Sequence, residues 1–420
     1  MFVRDVWRTA GLGQPLMGSE DDLDDLDRFT VRQVPHVDGR VSYWIFTPTG
    51  ELHIPSVEVL KRYGPSSQQT FAYSLVDHHN WALRNGKTPA TVTFEDLQRY
   101  MKVISGDATG VFGIAWRRKG QGPIGTSAAC NVASIIKAYY VAVLRDQSNE
   151  QLVAELTANS VVSGRRRSRN PQQSNPLAPR KPVRRPRYLA DEVVQSLFEP
   201  GVLTTARDVM IITWLHDGGL RVGGLCGLRF RDLHLVRHHP CGQRADPHIH
   251  IVGRDDNPNG ARAKSYDGPV VESKDGYVID GVIRAVSPDM VSTFYAYLLD
   301  EYDPVQHLAD HEQILIHGVG PTPGAALTTT AVRKMLRRAC KRAGLDSYIT
   351  PHAFRHKAAS DLYASSDFNA ELVAQEFGWS NPAMVSELYG KSANREAMKY
   401  LQTAWSATAR PNSEPHLQST

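Results

Sequence analysis

The chain has no apolar run longer than about Val209 to Leu215, far short of the roughly 20 residues a membrane-spanning helix needs. Its N-terminus brings charge early, at Arg4 and Asp5, so it lacks a signal-peptide core. Cysteine is scarce. Cys130, Cys226, Cys241 and Cys340 show no framework spacing, which excludes a disulfide scaffold and fits a reducing, cytoplasmic setting. No internal repeat is visible. A net charge of only +4 excludes a chain that is a polyelectrolyte throughout. What remains is an ordinary globular composition at 420 residues, long enough for two or three domains with sizeable cores.

The charge is unevenly spread. Between Gly164 and Tyr188 stand Arg165, Arg166, Arg167, Arg169, Arg180, Lys181, Arg184, Arg185 and Arg187, with no acidic residue among them. Those nine charges exceed the whole net charge and leave the rest of the chain at about −5. A concentrated basic run on a near-neutral body points to a polyanion, nucleic acid above all; the plainer reading is a solvated linker. Arg117, Arg118 and Lys119 beside Trp116 form a second basic candidate.

Hydrophobic patterning divides the chain further. Residues 1–62 alternate around Phe29–Val34 and Ser42–Ile54, with turn signals at Asp38-Gly39 and Thr49-Gly50, and predict a β-containing extension. Residues 63–162 turn helical and form a predicted helical bundle, a DNA-binding candidate. Ser66 or Ser67 caps a first helix, Thr93 to Asp96 opens a second as a capping box, and a third starts at Ser127. Five prolines among the arginines of 163–187 exclude a continuous helix and predict an extended basic linker. Residues 188–408 are mostly helical, with a helix capped by Asp191 and another over 204–215. Strands are expected near 248–252 and 282–286, and helices near 289–300, 328–343, 353–364, 369–377 and 382–389. The tail, 409–420, reads as disordered. The fold class expected is mainly α with a small β-sheet (α+β).

The chemistry-bearing residues come late. His352 and Arg355 lie in Thr350-Pro-His-Ala-Phe-Arg-His-Lys, followed by Gly378-Trp379 and, ten positions on, Tyr389; Arg221 stands earlier, in Gly218-Gly-Leu-Arg. Each alone is a weak signal: a capped helix start, an outward arginine, a half-buried aromatic. Together, two arginines, a histidine, an indole and a tyrosine can clamp a phosphodiester and attack it. The arginines donate bidentate hydrogen bonds to the non-bridging oxygens where charge accumulates. Trp379 adds one N–H and a flat wall. Tyr389 supplies a phenol whose phosphotyrosine ester keeps the bond energy, so no ATP is required. His352 can accept the tyrosine proton or orient the phosphate. The cations are side chains, so no metal or cofactor is expected.

This order and spacing resembles the catalytic domain of the tyrosine recombinases, the phage-integrase-type site-specific recombinases. Gly219-Leu220-Arg221 matches the family's first box. His352 to His356, Gly378-Trp379 and Tyr389 match the second, with Trp379 where many relatives carry histidine. The text Asp256-Asn-Pro-Asn-Gly-Ala-Arg-Ala-Lys264 is similar to the stretch that holds the family's catalytic lysine and implicates Lys264 as the proton donor to the leaving oxygen, with Lys274 the alternative. The helical bundle and the β region before it are similar to the family's core-binding domain and N-terminal extension. The resemblance implies an integrase or other DNA recombinase acting on double-stranded DNA through a 3′-phosphotyrosine, a homo-tetramer assembled on DNA, and possible accessory proteins. Ser392 to Trp405, just after the nucleophile, is a candidate helix for docking on a neighbouring subunit. The alternatives are a type IB topoisomerase-like enzyme and a silent DNA-binding accessory protein. One departure is Gly224, where relatives often carry an acidic or amide side chain that orients the pocket. The cluster His234, His238, His239, Cys241, His248 and His250 offers candidate zinc ligands. Pro240 follows the histidine pair, no CxxC accompanies it, and His248 and His250 stand two apart in a strand, so it reads as a satisfied or solvent-facing loop.

Overall fold

The computed structural model describes residues 28–36, 41–106, 122–144, 149–158, 175–179, 189–264 and 270–389, and the side chains of these except 65 and 66. The fold is mainly helical with two small antiparallel sheets. Two compact units divide the chain, Met1–Arg184 and Arg185–Thr420. Among the described residues no helix is long and apolar enough to cross a membrane.

In the first unit β1 (Thr30–Pro35) and β2 (Val41–Phe46) pair antiparallel, Thr30 opposite Phe46 and Pro35 opposite Val41. Ile45 is fully buried and roots this hairpin in the helical core. The helices are α1 (Ile54–Leu60), α2 (Pro65–Arg84), α3 (Phe94–Ser105), α4 (Thr126–Val143) and α5 (Glu150–Thr157). The expected serine cap on α2 is not used. Gly64 is the N-cap and Pro65 opens the helix, where its missing N–H loses nothing because that donor would be unpaired anyway. The capping box of α3 forms as the spacing predicts: Thr93 Oγ1 accepts from the Asp96 N–H and Asp96 Oδ2 from the Thr93 N–H. Leu75, Leu97, Tyr100, Ile104, Ile135 and Ile136 fill the core. The stretch expected to be a free connector is anchored at residues 175–179, because Leu177 inserts into this core.

The second unit contains α6 (Asp191–Gln195), α7 (Ala206–His216), α8 (Val222–Cys226), β3 (Leu233–His234), β4 (His248–Ile251), β5 (Val282–Ala285), α9 (Pro288–Tyr297), α10 (Thr329–Arg342), α11 (Pro351–Ser365), α12 (Ala370–Phe377) and α13 (Pro382–Tyr389). Asp191 is not a cap; Ala190 holds that position, and the Asp191 carboxylate instead takes the Lys357 ammonium at 2.5 Å. The helix predicted over 289–300 leaves α geometry at Tyr297 and continues as a wider π-type turn, Leu298–Tyr302. β3 is too short to be visible in the sequence, yet it completes a three-stranded sheet in the order β3-β4-β5. Trp214, fully buried, ties α7 to α9 through its indole N–H on the Met290 carbonyl at 2.9 Å. A satellite core of Ala359, Val373, Phe377, Val385 and Tyr389 joins α11, α12 and α13.

Candidate active site

Helix α11 opens at Pro351, so His352, Arg355 and His356 fall on one face of its first turns. Arg355 points inward and is only 3 % exposed. Its Nη1 donates to the Gly219 carbonyl at 2.9 Å and its Nη2 to the Phe377 carbonyl at 2.6 Å. The guanidinium carbon lies 4.9 Å from the Phe377 ring centre and 5.1 Å from that of Trp379. One side chain thus ties together α11, the Gly218-Gly219 turn and the end of α12. No carboxylate pairs with it among the described residues, and its Nε–H is buried without a partner. Burial, then the charges of Arg221 and Arg284, push this guanidinium down from its ordinary value.

The Gly-Gly turn needs both glycines. Gly219 sits at φ +57, and a Cβ there would come within 2.6 Å of the Phe377 ring; a Cβ on Gly218 would stand 2.8 Å from the Trp214 carbonyl. The turn delivers Arg221 to the N-cap of α8, half-buried, where burial lowers its pKa. Its charge is felt at both His352 and Arg355. Gly224 is buried in α8, and a side chain there would press on Ile251 of β4 at 3.3 Å. A larger group at this position requires Ile251 to give way by a few tenths of an ångström.

Helix α12 ends on Gly378 in the left-handed region, φ +62. The chain therefore turns sharply and lays Trp379 flat on Phe377, 5.2 Å centre to centre and 22° between planes. Tyr389, the last residue of α13, also stacks on Trp379, at 6.0 Å and 19°, and is 4 % exposed. Its hydroxyl is hydrogen-bonded to Nδ1 of His356 at 2.6 Å. Burial raises the phenol to about 12, with Arg355 pulling the other way. Burial, His352 and Arg355 push His356 down to about 4, so its imidazole is neutral at neutral pH. His352 is exposed and meets His356 edge-on at 4.3 Å.

Arg355, Trp379 and Tyr389 therefore form one packed cluster, with His352 against His356 and Arg221 near enough for its charge to be felt at His352 and Arg355. Two further residues belong to it. His356, read in the sequence only as part of a motif, occupies the place on the phenol that His352 was expected to take. Arg284 on β5 was missed: it donates through Nε to the Gly218 carbonyl at 3.1 Å and through Nη1 to the Glu376 carbonyl, and its guanidinium carbon lies 4.2 Å from the Phe377 ring centre. A lone arginine in an apolar strand was the available signal. Lys264 is exposed at the end of a segment whose Arg262 backbone lies against Gly223 of α8. Lys274 is exposed in the turn between Glu272 and Val278, which form an isolated bridge. Neither lysine has a hydrogen bond within the pocket among the described residues. The basic candidates Arg117, Arg118, Lys119, Arg165, Arg166, Arg167, Arg184 and Arg185, and the segment from Ser392, lie outside the described residues.

The loop expected to be satisfied or solvent-facing is neither at its centre. His234, His248 and His250 are fully buried, and Nε2 of both His234 and His250 has no partner. Sequence reasoning set aside the two-residue spacing of His248 and His250. In a strand that spacing puts both on one face, and the β3–β4 register adds His234 directly opposite His248.

Residues 290–396 match the model of the phage integrase family. Transposase A from transposon Tn554 of Staphylococcus aureus is 27% identical over 234 residues, which are 55% of this chain and 56% of the relative. The chain thus spans about half the length of the curated relatives it matches. Among solved structures, the Tn1549 transposon integrase in complex with transposon right-end DNA superposes with a TM-score of 0.52 at 15% identity, covering 83% of this chain and 98% of that one. The XerH site-specific recombinase bound to palindromic difH substrate, a post-cleavage complex, gives 0.51 at 13% identity and covers 82% of each chain. At these identities the likeness is one of fold.

Proposed function

We propose that the chain is a tyrosine recombinase, as the match of residues 290–396 to the phage integrase family supports, and that it is a site-specific DNA recombinase that breaks and rejoins strands through a 3′-phosphotyrosine. The observation that carries this reading is a buried arginine with no counter-ion among the described residues, beside a buried phenol. An unpaired guanidinium in a low-dielectric site is costly unless an anion completes it, and Tyr389 stacks on the same indole that Arg355 faces. Arg355 uses two of its five N–H donors on carbonyls and keeps the others for phosphate oxygens. Arg221 provides the second cation.

In the proposed reaction the Tyr389 oxygen attacks phosphorus, the O–P bond to tyrosine forms and the P–O5′ bond breaks. His356, in the tautomer with a lone pair on Nδ1, takes the phenol proton. His352 faces solvent and orients the phosphate. Lys264 gives a proton to the departing 5′ oxygen; the contact of its segment with α8, the helix that Arg221 caps, supports it over Lys274. The freed 5′ hydroxyl of one strand then attacks the phosphotyrosine of its partner, which conserves bond energy. Exchange between two duplexes cuts four strands and calls for four protomers on double-stranded DNA, with the first unit and the basic segments along the backbone.

The test is a nicked suicide substrate built from the ends of the DNA element that encodes the chain. A covalent protein–DNA product is expected with the wild type and none with Tyr389→Phe. An adduct that persists in Tyr389→Phe overturns the assignment.

A further inference from the structure

We propose that His234, Cys241, His248 and His250 form a structural zinc site, separate from the residues around Tyr389. One nitrogen or sulfur from each lies within 4.8 Å of the others. Two of the pairs are already at the separations of neighbouring ligands: His234 Nδ1 to His248 Nε2 at 3.2 Å, and Cys241 Sγ to His248 Nε2 at 3.1 Å. Zn–N bonds of about 2.0–2.1 Å and a Zn–S bond of about 2.3 Å place tetrahedral ligands roughly 3.3–3.6 Å apart, so these two pairs open by a few tenths of an ångström while the wider ones close in.

Proton counting distinguishes this cluster from an ordinary hydrogen-bonded core. The Nδ1–H of His248 donates to the Asp246 carbonyl at 2.7 Å and the Nδ1–H of His250 to the Asp280 carbonyl at 2.8 Å. A carbonyl can only accept, so both Nε2 atoms carry lone pairs directed inward. His234 turns its Nδ1 to the same centre. The two donors available among these four side chains, the Cys241 thiol and an Nδ1–H of His234, both fall on His248 Nε2, so not all the inward atoms are served and the Nε2 lone pair of His250 stays buried and unpartnered. A divalent cation satisfies all of them at once, and the thiol proton leaves to solvent as the thiolate binds. Asp246 and Asp280 then act as the outer partners that fix ring orientation at metal-bound histidines. Three imidazoles and one thiolate, closed by protein on all four corners, suit zinc.

The surrounding loop is shaped for this. His239 stacks on His234 at 3.7 Å with 10° between planes, and its Nδ1 accepts the Cys241 N–H at 3.2 Å, which aims the thiol. His238 and Gly242 bracket the turn at positive φ, +53 and +70. Arg244, three residues past the thiol, reaches Glu376 at 3.1 Å, the residue whose carbonyl Arg284 also holds. The site would thus brace the β3–β4–β5 sheet that carries Arg284.

The full chain, stripped with chelator and checked for native far-ultraviolet circular dichroism, is titrated with cobalt(II) and then with zinc. Saturation at one cobalt per chain is expected, with four-coordinate visible bands and a thiolate-to-cobalt charge-transfer band, all displaced by one zinc. Cys241→Ser should abolish the charge-transfer band, while Cys226→Ser, which removes a thiol outside the cluster, should keep it. No charge-transfer band at one equivalent in natively folded protein, or its persistence in Cys241→Ser, overturns the proposal. Should Cys241→Ser fail to fold, His250→Asn gives the same decision through loss of the four-coordinate bands.

Discussion

Two histidine-bearing pockets of the second unit are incomplete in opposite senses. Around Tyr389 the excess is positive: among the described residues Arg355 is buried with no carboxylate, Arg221 stands near, Glu376 is shared by Arg284 and Arg244, and His356 is spent on the phenol. Around His248 the excess is in lone pairs: the donors of His234 and Cys241 both fall on His248, and Nε2 of His250 has none. Elsewhere in the same unit buried charge is matched, as where Arg254 forks onto Asp232 with bonds of 2.8 and 2.6 Å. The sign of what is missing identifies the class of partner, an anion in one pocket and a cation in the other.

The largest effect expected from breaking this contrast is at Arg355. Arg355→Lys keeps the charge but cannot reach both the Gly219 and Phe377 carbonyls, nor offer a planar fork to phosphate. Single-turnover cleavage of the suicide substrate should fall by about 10²–10³-fold, the usual cost of losing one donor to developing charge. A rate near wild type would mean that this arginine is only structural. His356→Asn comes next, with cleavage slower by roughly 10²-fold or more. His352→Asn should weaken substrate binding more than it slows proton transfer. The reverse pattern would return the proton to His352.

Acidification probes both pockets together. Burial holds His356 down at about 4 and His234 at about 3, below the ordinary 6.5. Between those values and 6.5 the unfolded chain binds more protons than the folded one, so folding stability rises with pH in that window. Stability should therefore be complete above about 6.5 and fall progressively toward pH 4 and below, as read by denaturant unfolding of chelator-stripped protein. A curve flat from pH 7 to 5 would contradict the buried neutral state. Cleavage should likewise survive below pH 6.5, because His356 remains a base there.

Local signals were the legible part of this fold. The Thr93 capping box, the Gly378 stop and the Gly218-Gly219 turn each rest on a few adjacent residues, and the order of Arg221, His352, Arg355, Trp379 and Tyr389 needs only the chain itself. What escaped depends on register and on contacts across long stretches of sequence. His356 became the phenol's partner because α13 returns Tyr389 onto α11, and Arg284 because β5 runs behind α12. The zinc ligands were hidden by β3, two residues long, whose pairing brings His234 across from His248. Read as a loop, the same histidines have no shared direction. Gly224 looked like a lost functional group; its neighbour Ile251 makes it a matter of space.

The smallest expected effect tests whether the two pockets are independent. Arg244 follows the cysteine loop and pairs with Glu376, but its side chain is 39% exposed, and such pairs contribute about 0–1 kcal/mol. Glu376 keeps its bond to Arg284 at 3.0 Å when Arg244 is removed. Arg244→Ala should therefore lower unfolding stability by no more than about 1 kcal/mol, with cobalt affinity and cleavage rate both close to wild type. A larger loss that appears in both readouts would join the pockets into one cooperative unit, with the metal loop setting the position of α12 and, through it, of Trp379. A loss in neither means that this ion pair does not couple them, and leaves the sheet and Arg284 as the connection among the described residues.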